Sequence, residues 1–420
     1  MLITKKNILK LSKPEYQCLK FLSHKSKDLY NVTLYNTRQH FFKTEKYLNY
    51  IKNYEVIKTH VDYNLLPSDV AQQTMKIVEQ GFKSFFALLK LKNEGKYDEP
   101  VFIPGYLEKS GFFILQFPIR KNQSQEYFFL RFSKQLQEKY GINNIKVNKP
   151  EIIKDKNLKQ VRIIPKCNAK YFEIEWIYEE ERIEKHAVDK DRTISIDPGV
   201  SNFATILDNK SGDPIILDGK KIKSYNRFFN KKSKQKENGS MNKKRMFYKR
   251  SRILNDAINQ YVNLILQYCI INKVGNVVMG EGYLAQKNTK MGNVNNQNFV
   301  NIPYGKFIQK LSNKCELYGI SFSKQEESYT SKCDHLSGET MQHHDEYIGK
   351  RTTRGSFKSS TGILLNSDVN GALGILIKSK HEIDLGQLMS SGRLTRPRRI
   401  KLEDIQKNSS IRLVNQLQHF

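Results

Sequence analysis

The chain has 420 residues, enough for two or three domains with a sizeable core. Its 71 Lys and Arg against 42 Asp and Glu leave a formal net charge of +29 at pH 7; such a surplus repels itself unless a polyanion neutralises it, so nucleic acid is the expected partner. No apolar run reaches the length of a membrane span or a signal-peptide core, and the five cysteines (Cys18, Cys167, Cys269, Cys315, Cys333) have no framework spacing, so the expectation is a cytoplasmic, unsecreted protein in a reducing compartment, with no membrane partner.

Residues 13–60 are basic and rich in Tyr and Phe, and helical spacing recurs in Tyr16, Leu19 and Leu22 and again in Leu29, Val32, Thr33 and Asn36, which predicts two or three helices. Pro67, Ser68 and Asp69 start another. Val70, Ile77, Val78, Phe82, Phe85, Phe86 and Leu89 give it one broad apolar face, and Gln72, Gln73, Lys76 and Gln80 occupy the other. From Glu99 to about Glu184 the period changes to two. Phe112 to Phe117, Arg162 to Pro165 and Tyr171 to Tyr178 read as strands of a β-barrel-like module, with Phe172, Ile174, Trp176 and Tyr178 on one face and Glu173 and Glu175 on the other.

Three short strands follow: Thr193 to Asp197, Asn202 to Asp208 and Pro214 to Leu217. The segment from Lys220 to Arg252 carries the densest basic charge, with a loop expected around Glu237 to Ser240. A long helix then runs over Lys243 to Asn272, docking through Ile253, Ala257, Ile258, Val262 and Ile265. Lys243, Lys244, Arg245, Tyr248, Lys249 and Arg252 are candidate phosphate contacts at its start. A strand at Asn276 to Gly280, a helix at Tyr304 to Tyr318, a strand at Ile320 to Lys324 and a helix beginning near Asp368 complete the series.

Within this series three acids stand at element boundaries: Asp197 in IDPG, Glu281 in VVMGEGYL and Asp368 in NSDVNGALGI. A carboxylate at the end of a buried strand is costly unless it is paired or binds a metal. An Asp before Gly199 also suits a turn. Three acids far apart in sequence meet only if their strands lie side by side, and three antiparallel strands followed by helix, strand, helix, strand and helix are the order of the ribonuclease H fold. Strand, Asp and Gly also open the phosphate segment of actin-like ATPases, but no second Gly-rich loop follows at the expected distance.

These motifs resemble the split RuvC-like nuclease of the TnpB proteins of insertion sequences and their relatives, the type V CRISPR effectors. The resemblance covers roughly residues 65 to 380 and is strongest after Thr193. It implies a multidomain α+β fold: an N-terminal strand (1–12) belonging to a β-barrel wedge domain (96–190), a helical recognition lobe (13–95), a RuvC-like α/β nuclease in two parts (191–325 and 363–382), an insert (326–362) that binds target nucleic acid, and a basic, flexible tail (383–420). In the recognition lobe, Gln73, Lys76 and Gln80 suit contacts to an adenine edge and to phosphate; a solvated helix face explains them equally.

Many TnpB proteins carry two CxxC pairs in the insert, a closed zinc site. This chain keeps only SKCDHL. Cys333, His335, His343 and His344 could supply four ligands, but their spacing fits no zinc template, and the insert packs without metal in the alternative reading. Lys350, Arg351 and Arg354 precede Asp368, where a guanidinium could contact the scissile phosphate or neutralise the acids.

Three carboxylates on one sheet repel one another, and hard divalent cations relieve that repulsion. The expected cofactor is a pair of Mg²⁺ ions roughly 3.5 to 4 Å apart, with Asp197 bridging and Glu281 and Asp368 each favouring one. The resemblance implies an RNA-guided DNA endonuclease of a mobile element, with a guide RNA from the element and double-stranded target DNA beside a short adjacent motif as partners. Two alternatives stay open: a guided DNA-binding repressor that does not cut, and a transposase or accessory protein acting directly on element ends.

Overall fold

The computed structural model describes residues 1–119, 124–181, 187–281, 302–353, 355–390 and 392–407, and the chain divides into two compact units, Met1–Glu180 and Glu181–Phe420. In the first unit strand β1 (Leu2–Ile8) leads into a helix, Lys13–Thr44. Its start is set locally: the Ser12 N–H donates to the Glu15 carboxylate at 2.7 Å, half of a capping box. Helices Tyr50–Ile57, Val61–Asn64 and Ser68–Asn93 follow. The remaining strands are β2 (Leu115–Pro118), β3 (Tyr127–Leu130), β4 (Ile145–Asn148), β5 (Asn157–Lys166) and β6 (Tyr171–Glu179), with a helix, Lys134–Tyr140, between β3 and β4.

These strands form an antiparallel sheet in the order β1, β6, β5, β2, and β3 pairs with β4. The alternating face of β6 is core: Phe172, Ile174, Trp176 and Tyr178 are buried, and Trp176 meets Phe128 edge-on at 6.0 Å. On the other face Glu173 pairs with Lys166 and Glu175 with Lys6. The cluster around Trp176 also takes in Leu19, Leu22, Leu29, Val70 and Met75 from the helices. The helical and strand-rich segments, expected as two domains, therefore share one hydrophobic core.

The second unit is built on β7 (Asp189–Pro198), β8 (Asn202–Asp208) and β9 (Ile215–Asp218), each antiparallel to the next. Helices Lys220–Lys234 and Met241–Ile271 follow. The first of these occupies a stretch that composition marks only as basic; Ile222, Asn226 and Phe229 give it a buried stripe at helical spacing. Then come β10 (Val274–Gly280), parallel to β7, a helix Tyr304–Leu317, and β11 (Ser321–Gln325), parallel to β10. Strands β12 (Lys350–Thr353), β13 (Ser356–Lys358) and β14 (Leu364–Asn366) make a small sheet of their own before the helix Ser367–Lys378.

The main sheet has the order β11, β10, β7, β8, β9, β15, where β15 is Arg398–Ile400. Its first five strands have the ribonuclease H-like arrangement. One face, with Ile194, Ile196, Val277 and Met279, packs on the Met241–Ile271 and Tyr304–Leu317 helices. Against the other lies the Ser367–Lys378 helix, held by Ser195 Oγ donating to the Ala372 carbonyl at 2.7 Å. That division decides which side chains can meet.

The C-terminal segment, expected to be flexible, is instead built into the fold through residue 407. Helices Leu385–Ser390 and Leu402–Lys407 flank β15, which pairs in parallel with β9. Ile400, Leu402 and Ile405 join the core of the main sheet, and Arg398 and Arg399 form ion pairs with Asp213 at 3.2 Å and Asp218 at 2.8 Å. With Leu388 and Leu394 buried in a second cluster around Leu373, these apolar residues dock a largely polar stretch, because the sheet offers an edge. Ile400→Ala removes a side chain that is 6 % exposed and is expected to cost about 2–4 kcal/mol, read as a lower denaturant midpoint; an unchanged midpoint would show that the strand is not part of the folded unit.

Candidate active site

Asp197 stands near the end of β7, just before the turn at Pro198 and Gly199. The Tyr304 hydroxyl donates to the Gly199 carbonyl, and the Tyr304 ring stacks on Phe203 at 5.8 Å, so the chain leaving the strand is pinned from below. Asp368 begins the Ser367–Lys378 helix, its N–H donating to Asn366 Oδ1 at 3.0 Å as a cap. The helix approaches β7 closely because Gly371 faces the acid: a Cβ there would lie 2.7 Å from Asp197 Oδ2. Asp197 and Asp368, read from opposite ends of the domain sequence, are brought together.

Glu281 is not brought to them, and the reason is register. Met279 of β10 pairs with Ile196 of β7, so one step on Gly280 stands beside Asp197 and shares its face. Glu281, the next residue, turns to the opposite face because side chains alternate along a strand. Its carboxylate meets Lys324 of β11 at 3.1 Å. The place beside Asp197 is filled from β11 instead. Glu327 follows that strand, and a Cβ on Gly280 would come within 1.8 Å of Glu327 Oε1. The missing side chain at Gly280 is what admits the Glu327 carboxylate.

The electrostatics identify the same set. Burial, with the charges of Glu327 and Asp368 beside it, holds the Asp197 carboxyl well above the usual carboxylate range, while the Arg351 guanidinium acts the other way. Asn202 donates through Nδ2 to Asp368 Oδ2. The acids adjoin without closing a cage: among the described residues no three His, Cys, Asp or Glu side chains converge as ligands on one ion. The donor set nevertheless fits a hard divalent cation. It is all oxygen and its members repel one another, and Gly280 and Gly371 leave room for the carboxylates of Glu327 and Asp197 to approach.

Glu327 is the residue that sequence reasoning missed. It lies in KQEESYT, after a strand whose residues are largely exposed, so no apolar run marks the element that carries it. The usable signal was its place in the chain, since the strand before it pairs with the Glu281 strand.

The four zinc candidates do not gather. His335 is buried and fixed with Nε2 at 2.7 Å from the Thr330 carbonyl, and burial pushes its pKa down. Cys333 donates to the Thr340 carbonyl at 3.4 Å, His344 Nε2 is 2.7 Å from that same oxygen, and His343 is exposed. What closes the insert is Asp334, whose Oδ2 accepts from Ser359 Oγ at 2.9 Å and from Ser360 N and Oγ at 2.7 and 2.9 Å. Burial would raise this carboxyl, but the Ser360 and Ser359 donors outweigh it and hold it below its ordinary value.

Of the candidate nucleic-acid contacts, Lys244, Arg245, Lys249 and Arg252 are exposed on the Met241–Ile271 helix, and the Arg252 guanidinium lies 6.0 Å from the Tyr248 ring centre. Lys243 is bonded to Asn238. Lys350 and Arg351 are exposed on β12, with Arg351 the one whose charge reaches Asp197. In the first unit Lys76 sits over the Tyr50 ring at 5.0 Å, Gln73 is half-buried and Gln80 is exposed. Arg354 lies outside the described residues.

Comparison with known proteins bears on the fold. Residues 176–285 match the family described as OrfB_IS605, a probable transposase, and residues 304–375 match the Cas12f1-like TNB domain. Among solved structures, a Cas12f1 in a complex with sgRNA and target DNA is 16% identical over 87% of this chain and 83% of that one, with a TM-score of 0.54, which establishes a shared fold. A CRISPR-Cas12f ternary complex, also 16% identical and covering 85% of this chain and 80% of that one, has a TM-score of 0.34. No curated protein matches.

The raised Asp197 pKa has a consequence for stability. The folded chain holds this proton more tightly than the unfolded chain, where Asp titrates at about 3.9. Wild type is therefore progressively destabilised as pH rises from about 4 through the raised value. Asp197→Asn does not titrate. In the presence of a chelator its Tm is expected to exceed that of wild type by a margin that grows from pH 5 to pH 8; a margin independent of pH would contradict the assignment.

Proposed function

We propose that this chain, set by its two matched segments and its fold among the TnpB and Cas12f1-like proteins, is an RNA-guided DNA endonuclease of a mobile element. Its site would be Asp197, Glu327 and Asp368. The observation that carries the reading is the meeting of these carboxylates at one end of the main sheet in a chain of net charge +29.

Mg²⁺ held by Asp197, Glu327 and Asp368 would supply activation of the attacking water and neutralise charge on the departing oxygen. The chain's own groups do the rest. Arg351, on an exposed strand within electrostatic reach of Asp197, offsets the charge of a phosphate approaching the acids. Exposed Lys244, Arg245, Lys249 and Arg252 hold the sugar-phosphate backbone without regard to sequence. Sequence choice falls to base pairing with a guide RNA, as the complex of the solved relative with sgRNA and target DNA suggests. None of these groups forms a covalent intermediate in this scheme.

The test is to purify the protein with RNA expressed from its flanking element and to assay Mg²⁺-dependent cleavage of a target matched to that RNA. Guide-dependent cutting supports the reading. Guided binding without cutting would indicate a repressor, and RNA-independent action on element ends a transposase. Within a cleaving complex, Glu327→Gln is expected to slow the reaction about 10²–10³-fold, the scale of removing one preorganised electrostatic group, while Glu281→Gln stays near wild type. The reverse pattern would return the third position to Glu281.

A further inference from the structure

One hydrogen-bond path leads from the C-terminal strand into the acid site. Pairing across the main sheet puts Asp197 opposite Thr205, Thr205 opposite Ile216, and Ile216 opposite Arg399. Paired residues share a face, so Arg399 rises on the same side of the sheet as Asp197. Its neighbour Ile400 is buried in the core on the other side. Arg399 Nη1 donates to two acceptors, Asp218 Oδ2 at 2.8 Å and Asn202 Oδ1 at 2.8 Å. The same Asn202 side chain donates through Nδ2 to Asp368 Oδ2.

The direction of this path is fixed by chemistry. A guanidinium has only donors, so the amide atom that faces it is the oxygen, and the NH₂ is turned to the carboxylate. We infer that Arg399 is a positioning residue for the acid site: by holding Asn202 Oδ1 it keeps the Asn202 amide aimed at Asp368, so that docking of the last strand sets the orientation of a carboxylate on another element. The inference rests on the reading of Asp368 as a functional acid. Without Arg399 the amide is free to turn, and Asp368 loses the donor that fixes one of its oxygens. The rival account is that Arg399 only pins its strand through Asp218.

A double-mutant cycle on the full-length, guide-loaded protein separates the two. Arg399→Ala and Asn202→Ala are each expected to slow single-turnover cleavage by about 10- to 100-fold, the usual effect of losing a partner that orients a metal ligand. Each should also raise the Mg²⁺ concentration for half-maximal rate, with target affinity and Tm near wild type. The double variant should be no slower than either single one, and Arg399→Lys should recover part of the rate. Wild-type behaviour of Arg399→Ala, or an Arg399→Ala effect that persists in full in the Asn202→Ala background, would overturn the inference. Should Arg399→Ala unfold, Asn202→Ala against Arg399→Lys carries the same comparison. Mn²⁺ affinity, read by EPR, is a second readout. A wild-type complex that binds Mn²⁺ but does not cut would defeat the nuclease reading, and the inference would then stand or fall on whether Arg399→Ala and Asn202→Ala weaken Mn²⁺ binding.

Discussion

Which face of the main sheet a carboxylate occupies is fixed by the pairing of β7 with β10, and the site follows from it. With Met279 beside Ile196, the residue beside Asp197 is a glycine, and the acid after that glycine turns away to Lys324. The vacant side-chain position is then taken by Glu327, reaching in from the next strand. A single-residue slip of this pairing would exchange the faces of every side chain on β10, taking Val277 and Met279 out of the core and turning Glu281 toward the Asp197 face. The apolar packing of Val277 and Met279 against the long helices therefore fixes which side chains share the opposite face.

The cost of that arrangement is carried by charge. Three acids close together, one of them enclosed, destabilise the folded chain on their own, and the structure offsets part of this with Arg351 near Asp197 and with the Asn202 amide on Asp368. Elsewhere buried acids are supplied with donors: Asp208 is bonded to Arg192 and to the Tyr268 hydroxyl, and Asp334 Oδ2 accepts from Ser359 and Ser360. The contrast between those acids and Asp197, whose carboxyl is raised by burial and by the neighbouring charges of Glu327 and Asp368, sets the candidate site apart from the rest of the fold.

Much of this was legible in the sequence, and the failures share a cause. Asp197 and Asp368 were found because each ends or begins an apolar element, and the order of strands and helices was visible in hydrophobic runs. Glu281 satisfied the same local rule, but local rules do not give the parity of one strand against another. Glu327 follows a mostly exposed strand, so no pattern announced it. Strand β15 was hidden for a related reason, since Ile400 and Leu402 are scattered among charged residues and become core only where β15 pairs with β9. The absent cysteine pairs were plain in the sequence; that Asp334 and two serines hold the insert instead depends on a contact between segments far apart in the chain.

In the proposed function Asp197, Glu327 and Asp368 hold the cations between them, and Glu281 lies on the other face of the sheet. The most direct measurement is the anomalous scattering of Mn²⁺ in crystals of the protein bound to its guide and target. The account predicts manganese peaks contacted by Asp197, Glu327 and Asp368, with Glu281 still beside Lys324. Peaks contacted by Glu281 and not by Glu327, or no peak near Asp197, would contradict it.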